Sequence, residues 1–362
     1  MKILFVNPFG IGDVLFTTPL IRPLAEKGHR IYYWCNERVA DILRCNGSVE
    51  GVFSLSRGDI KRFFRVSPLK ALKRFFGVAA AIRTKAFDLA FDFSLDYRYS
   101  LILRLLGVRK IAGFDYKGRG FLLSHKIAVS GFDNEHMVEH YAKLLQFVDS
   151  TIKTDGRMEL VVTQQQELWA NELLRHHGVG TGNVLIGVAP GGGASWGKDA
   201  FRKQWPKEYF ACLSDILAET GQYKIIIFGS RDDIEVCDYI AETVKKKVIN
   251  ICGRTTLPQL AALLKQCMLL IANDGGLLHM ASALGVGTVS IFGPVDEKVY
   301  GPYPPSGKHV TVTADVECRP CYKNFRYNPC DERRCLKLVT PAHVLKKVHK
   351  VIRGYSTSQV RH

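Results

Sequence analysis

Short apolar runs alternate with longer segments of helical periodicity along almost the whole chain, the pattern left by parallel sheets joined through helical crossovers. The pattern occurs twice. KILFV at 2–6, RIYYW at 30–34, GVFSL at 51–55, LAFDF at 89–93 and RKIAG at 109–113 predict strands in the first half. VLIGVA at 184–189, YKIIIF at 223–228, VINIC at 248–252, MLLIAN at 268–273 and GTVSIF at 287–292 predict strands in the second. Between the two sets, HHGVGTGN at 176–183 lacks apolar periodicity and suits a linker. The prediction is an α/β protein of two similar lobes, residues 1–178 and 179–339. A closing helix and tail, 340–362, begins with a plausible threonine cap followed by proline at the first helical position.

Composition changes this picture little. At 362 residues the chain is long enough for two cores, and 47% apolar with 23% charged residues is an ordinary globular balance. The opening residues MKILFVNPFGIGD hold only a short apolar run, so neither a signal peptide nor a spanning helix fits, and a cytoplasmic location is expected. Six scattered cysteines, at 35, 45, 212, 237, 252 and 267, then read as thiols. Charge narrows the partners: 50 basic against 34 acidic residues give +16, which favours nucleic acid, anionic lipid or a phosphorylated substrate.

Three loops carry candidate chemistry. NPFGIGDVLF sets Asp13 between the first predicted strand and helix, at the carboxyl edge where parallel sheets place ligands. Asp13 either works there or caps the helix, and both readings stand on spacing alone. GVAPGGGASWGKDAFRKQWP runs from a strand into glycines 191–193, where Gly191 and Gly192 offer bare amides near Lys203, an anion site or a glycine-rich surface loop. LLIANDGGLLHMASALG ends a strand at Asn273-Asp274, turns through Gly275 and Gly276, and places His279 early in the next helix, so that a diphosphate would meet amides, helix dipole and imidazole together. A lone helical histidine is more often structural; its place after the glycine turn favours function.

The segments GDVLFTTPL (12–20), KQWP (203–206), FGSRDD (228–233), NICGRTTLPQLAALL (250–264) and NDGGLLHMASALGVGTVSIFGP (273–294) resemble glycosyltransferase family 9, which contains the ADP-heptose:lipopolysaccharide heptosyltransferases. The resemblance implies a GT-B fold, two Rossmann-like lobes facing a cleft, with acceptor on the first lobe and donor on the second. It implies an inverting, metal-independent transfer of a heptose from ADP-heptose to a lipopolysaccharide inner-core acceptor, with no cofactor required. Asp13 matches the family's general base, Lys203 the lysine facing the phosphates, and Asp274, Gly275, Gly276 and His279 its donor-binding turn. Where the family usually has threonine or serine, this chain has Gly275. Alternatives are a family transferase using another nucleotide sugar or glycan, and a non-catalytic nucleotide-binding scaffold at the envelope.

Two further features stand outside the loops. From Arg57 to Lys85 nine basic residues face one acidic residue, and phenylalanines are interleaved among Lys61, Arg62, Arg65, Lys73 and Arg74. A basic amphipathic face of this kind receives a phosphorylated lipid-linked saccharide or lies on an anionic membrane surface, giving a peripheral enzyme at the inner face of the cytoplasmic membrane. The alternative is an ordinary helix with its phenylalanines in the core. No motif supports nucleic acid. Finally, Cys318, Cys321, Cys330 and Cys335 are spaced C-x2-C-x8-C-x4-C, which could wrap one tetrahedral metal; a structural zinc, an iron–sulfur cluster and unligated thiols all stay open.

Overall fold

A computed structural model describes residues 1–180, 182–328 and 330–359. Thr181 of the expected linker and residues 360–362 of the expected tail lie outside the described residues. The chain divides after Val161 into two compact units. The division lies ahead of the glycine-rich stretch 176–183, and the helix Gln164–His176, opened by a reciprocal Thr163/Gln166 capping box, belongs to the second unit.

The first unit is built on β1 (Lys2–Asn7), β2 (Arg30–Cys35), β3 (Val49–Ser54), β4 (Leu89–Asp92), β5 (Ile111–Tyr116) and β6 (His125–Val129). They form one parallel sheet in the order β3-β2-β1-β4-β5-β6. The second unit uses β7 (Val184–Ala189), β8 (Tyr223–Ile227), β9 (Ile249–Asn250), β10 (Leu269–Asn273), β11 (Gly287–Ile291) and β12 (His309–Val312). Its sheet is parallel too, in the order β12-β11-β10-β7-β8-β9. Counted within its own unit, each sheet reads 3-2-1-4-5-6, the doubly wound order.

Helices cover both faces, so central strands are continuous apolar runs: β10 and β11 are buried at every position. Those strands are the ones their composition predicts. The edge strands β6 and β12 were not predicted. β6 alternates half-buried and exposed residues, and β12 is half-buried at three of four positions, so neither carries a strong apolar run. The closing helix Pro341–Gln359 buries Val344, Val348 and Val351 against the second core, each worth about 1.5–3 kcal/mol. No helix among the described residues is long and apolar enough to cross a membrane.

Doubly wound sheets bind ligands beyond the carboxyl ends of the two strands where the strand order reverses. In the first unit those strands are β1 and β4, and in the second β7 and β10.

Candidate active site

In the second unit the switch-point loops are drawn together by one buried side chain. Asn273, the last residue of β10, donates from Nδ2 to the Pro190 carbonyl beyond β7 at 2.7 Å, and its Oδ1 accepts the Trp205 backbone N–H at 3.0 Å. The indole of Trp205, fully buried, donates to the Val339 carbonyl at 2.6 Å. These bonds fix the segment KQWP, and with it Lys203, against the end of β10. Lys203 Nζ lies 3.1 Å from Asp274 Oδ2, with side chains only 6% and 9% exposed. Such a pair holds its geometry because either charge left alone at this depth would be costly.

Beyond Asp274 the helix Gly276–Ala283 begins, with Gly275 as its N-cap and no side chain capping it. Its first amides therefore face outward at the positive end of the helix dipole. Gly275, Gly276 and Leu277 are half-buried, whereas His279, the fourth helical residue, is buried. On the facing loop Gly193 has φ +78°, a conformation suited to glycine, and its backbone approaches Gly275. Gly191 and Gly192 are required by packing as well. A Cβ on the first would run into the Asp233 carboxylate, and one on the second into the Ala200 carbonyl. At Gly275 the backbone is extended and a Cβ would find its nearest neighbour at 3.9 Å, so nothing in the protein forbids the family's hydroxyl residue there.

In the first unit Asp13 is the third residue of the helix Ile11–Thr17, and the N-cap is Gly10. Asp13 is therefore not the N-cap residue itself. Asp13 is half-buried at the positive end of the helix, and its carbonyl accepts the Asn7 side-chain amide at 2.9 Å. Across the switch point, β4 ends at Asp92. That buried carboxylate accepts from Ser100 Oγ at 2.6 Å and the Ser94 N–H at 2.9 Å, and burial pushes its pKa up against these hydrogen bonds. LAFDF contained this residue without revealing it. Asn273 was read only as the end of its strand, although a polar residue ending an apolar strand is a signal of a loop anchor.

The basic segment is two helices, Arg57–Val66 and Pro68–Lys85, broken where Ser67 caps the second. Arg62 and Arg74 converge on Glu37 at 2.5 and 2.6 Å and stand 5.2 and 5.8 Å from the Phe63 ring centroid, so both brace the helix pair internally. Lys61, Arg65 and Lys73 are exposed. So are Phe64 and Phe76, with Val66 and Leu69 at 80% and 82%, while Phe63 and Phe75 are half-buried. The phenylalanines are not core residues, against the ordinary amphipathic alternative.

Cys318, Cys321, Cys330 and Cys335 are free thiols. Among the described residues no group of three or more histidine, cysteine or acidic side chains is placed to hold a metal. Cys335 is buried, and that burial, with the other three thiols nearby, pushes its pKa up to about 11.

Two Rossmann-like units, each with candidate residues at its switch point, are the architecture of the GT-B fold. Residues 76–330 match glycosyltransferase family 9 (heptosyltransferase), and the chain belongs to that family. It is 26% identical over 269 residues to lipooligosaccharide heptosyltransferase 2 of Campylobacter jejuni, a match covering 73% of this chain and 75% of that protein. Its fold matches that of a family 9 glycosyl transferase from Veillonella parvula with a TM-score of 0.80 at 22% identity, covering 98% of this chain and 97% of the other. The ADP-heptose lps heptosyltransferase II of Escherichia coli matches with a TM-score of 0.74 at 21% identity, covering 98% and 100%.

Proposed function

We propose that this glycosyltransferase moves a heptose from ADP-heptose to a hydroxyl of a lipopolysaccharide inner-core acceptor, with inversion at the anomeric carbon and without a metal. The observation that carries the reading is the buried Lys203–Asp274 pair at the end of β10, beside the open N-terminus of the helix Gly276–Ala283. It offers a cation and aligned amides to one diphosphate. The family and the heptosyltransferase relatives support the sugar.

In this scheme the second unit holds the donor and the first the acceptor. The acceptor hydroxyl is too weak an acid to react alone, so Asp13 accepts its proton as the oxygen attacks the anomeric carbon. The bond from that carbon to the β-phosphate oxygen breaks, and the nucleotide diphosphate departs with the bonding pair. Lys203, the amides after Asp274 and His279 stabilise the charge that grows on it. Exposed Lys61, Arg65 and Lys73, beside Phe64, Val66, Leu69 and Phe76, support a peripheral position on the anionic cytoplasmic face of the membrane, each basic residue adding about 1 kcal/mol near the surface.

The test incubates the protein with a panel of nucleotide sugars and a heptose-deficient lipopolysaccharide, and follows products by mass spectrometry. Heptose transfer from ADP-heptose, abolished in Asp13→Ala, is the expected result. Transfer of another sugar would reassign the donor, and ADP binding with no transfer of any panel sugar would leave a nucleotide-binding scaffold.

A further inference from the structure

The backbone that delivers Lys203 is irregular. Ala194–Lys203 is a 3-10 segment interrupted at Gly197, where φ is +52° and ψ is −126°. A tight helix of this type has poorer hydrogen-bond geometry than an α-helix and little stiffness of its own. Its support comes from far along the chain. The small hairpin formed by Tyr322–Lys323 and Arg326–Tyr327 presents two aromatic rings to Trp196. Tyr327 stacks on the indole at 5.1 Å and 14°, and Tyr322 lies 5.1 Å from it at 40°. The Tyr327 hydroxyl is hydrogen-bonded to Asp199, which also holds Arg202 Nε at 3.3 Å. Arg202 in turn donates to the Cys330 carbonyl at 2.6 Å, and Arg333 donates to the Phe201 carbonyl at 3.0 Å. The hairpin, with Cys330 and Arg333 just beyond it, thus clasps the segment from Trp196 to Arg202.

At the centre of the clasp, Lys203 Nζ stands 5.0 Å from the Trp196 ring centroid, within cation–π range. A lysine facing a diphosphate has two requirements that conflict. Its long stem must be held in one rotamer, yet each carboxylate added to hold it cancels part of the charge that the leaving group needs. Asp274 is already one such carboxylate. An aromatic face attracts the ammonium through its quadrupole and leaves the full charge in place.

We infer that Trp196, seated by Tyr322 and Tyr327, is a positioning residue that orients the Lys203 ammonium toward the donor diphosphate, and that the hairpin serves the donor site through it. The inference rests on Lys203 being the diphosphate's cation, as proposed above. It concerns Trp196 and the hairpin, whose role does not follow from the reaction scheme.

Calorimetric titration with ADP and with adenosine separates the two ideas, because only ADP carries the diphosphate. Trp196→Leu is expected to weaken ADP about tenfold and leave adenosine unchanged, while Trp196→Phe, which keeps an aromatic face, stays within about threefold of the wild type. Tyr327→Leu, which leaves the indole but removes its seat, is the second variant and shifts ADP alone in the same direction. On a Lys203→Ala background the Trp196→Leu effect should vanish, since the residue would have nothing left to position. Equal weakening of ADP and adenosine, or an undiminished effect without Lys203, would overturn the positioning role and reduce Trp196 to general loop structure. If Lys203→Ala itself leaves the preference for ADP over adenosine intact, the assignment of Lys203 fails first, and the inference falls with it.

Discussion

Lys203 and Asp274, seventy-one positions apart in sequence, form an ion pair of 3.1 Å in which both side chains are almost wholly buried. A pair at this depth is expensive to halve and cheap to replace. Asp274→Ala should therefore cost about 3–5 kcal/mol in urea unfolding, because it leaves a buried ammonium without its counter-charge. The double replacement Lys203→Met with Asp274→Leu should recover most of that loss while abolishing ADP binding. A double variant no more stable than Asp274→Ala would show that the pair is not the source of the cost.

Asp13 lies within the first turn of its helix, three residues beyond the N-cap Gly10. Asp13→Asn keeps its shape and removes only the proton acceptor. Transfer should fall by about 10²–10⁴ with ADP affinity unchanged, as loss of a general base does. The helix dipole makes a stability loss of about 0.3–1 kcal/mol the most that the missing charge should add. An active Asp13→Asn enzyme would remove the residue from the chemistry.

Glycines 192 and 275 flank the same proposed ligand for different reasons. Gly192→Ala puts a methyl into the Ala200 carbonyl, and a clear drop in Tm is expected, with about 1–3 kcal/mol lost to overpacking. Gly275→Ser enters open space on an extended backbone and should leave Tm essentially unchanged. Its hydroxyl would restore a phosphate or sugar contact, so the Michaelis constant for the donor should fall. A large Tm loss in Gly275→Ser would contradict the open geometry.

His309 supplies a pH signature. Burial, reinforced by the Lys308 ammonium, holds its pKa down to about 4 from an ordinary 6.5, and its ring meets Thr288 Oγ1 at 3.0 Å. The folded state thus resists the proton that the unfolded chain accepts. Its contribution is complete above the ordinary value and is lost as pH falls from there toward 4. The unfolding free energy from urea titrations should decline on acidification through this window, by at most about 1.4 kcal/mol per pH unit. The slope should flatten in His309→Asn, and an equal slope in both proteins would assign the acid lability elsewhere.

Much of this architecture was legible because central parallel strands must be apolar on both faces. β7, for instance, was delimited by its residues alone. Of the four edge strands, β3 and β9 were predicted from their apolar residues, whereas β6 and β12 escaped because β6 alternates half-buried and exposed positions and β12 is half-buried at three of four. The loop chemistry was legible as motif and spacing, since Asp13, Lys203 and Asp274 fall at strand ends. The partners of those residues were not. That Asn273 ties two loops together, that Tyr322 and Tyr327 seat Trp196, and that Arg62 and Arg74 share Glu37 are contacts across tens of residues, for which local periodicity carries no signal. The basic run was also counted as one face, and the helix break at Ser67 divides it.

The amide of Asn273 joins three stretches of chain, bonding the Pro190 carbonyl through one atom and the Trp205 backbone through the other while ending β10 itself. Stretches pinned by a single buried group cannot fray independently, because releasing any one leaves that group unsatisfied. In hydrogen exchange the amides of these segments should therefore open together, with one shared free energy, as a single cooperative unit rather than as three surface loops.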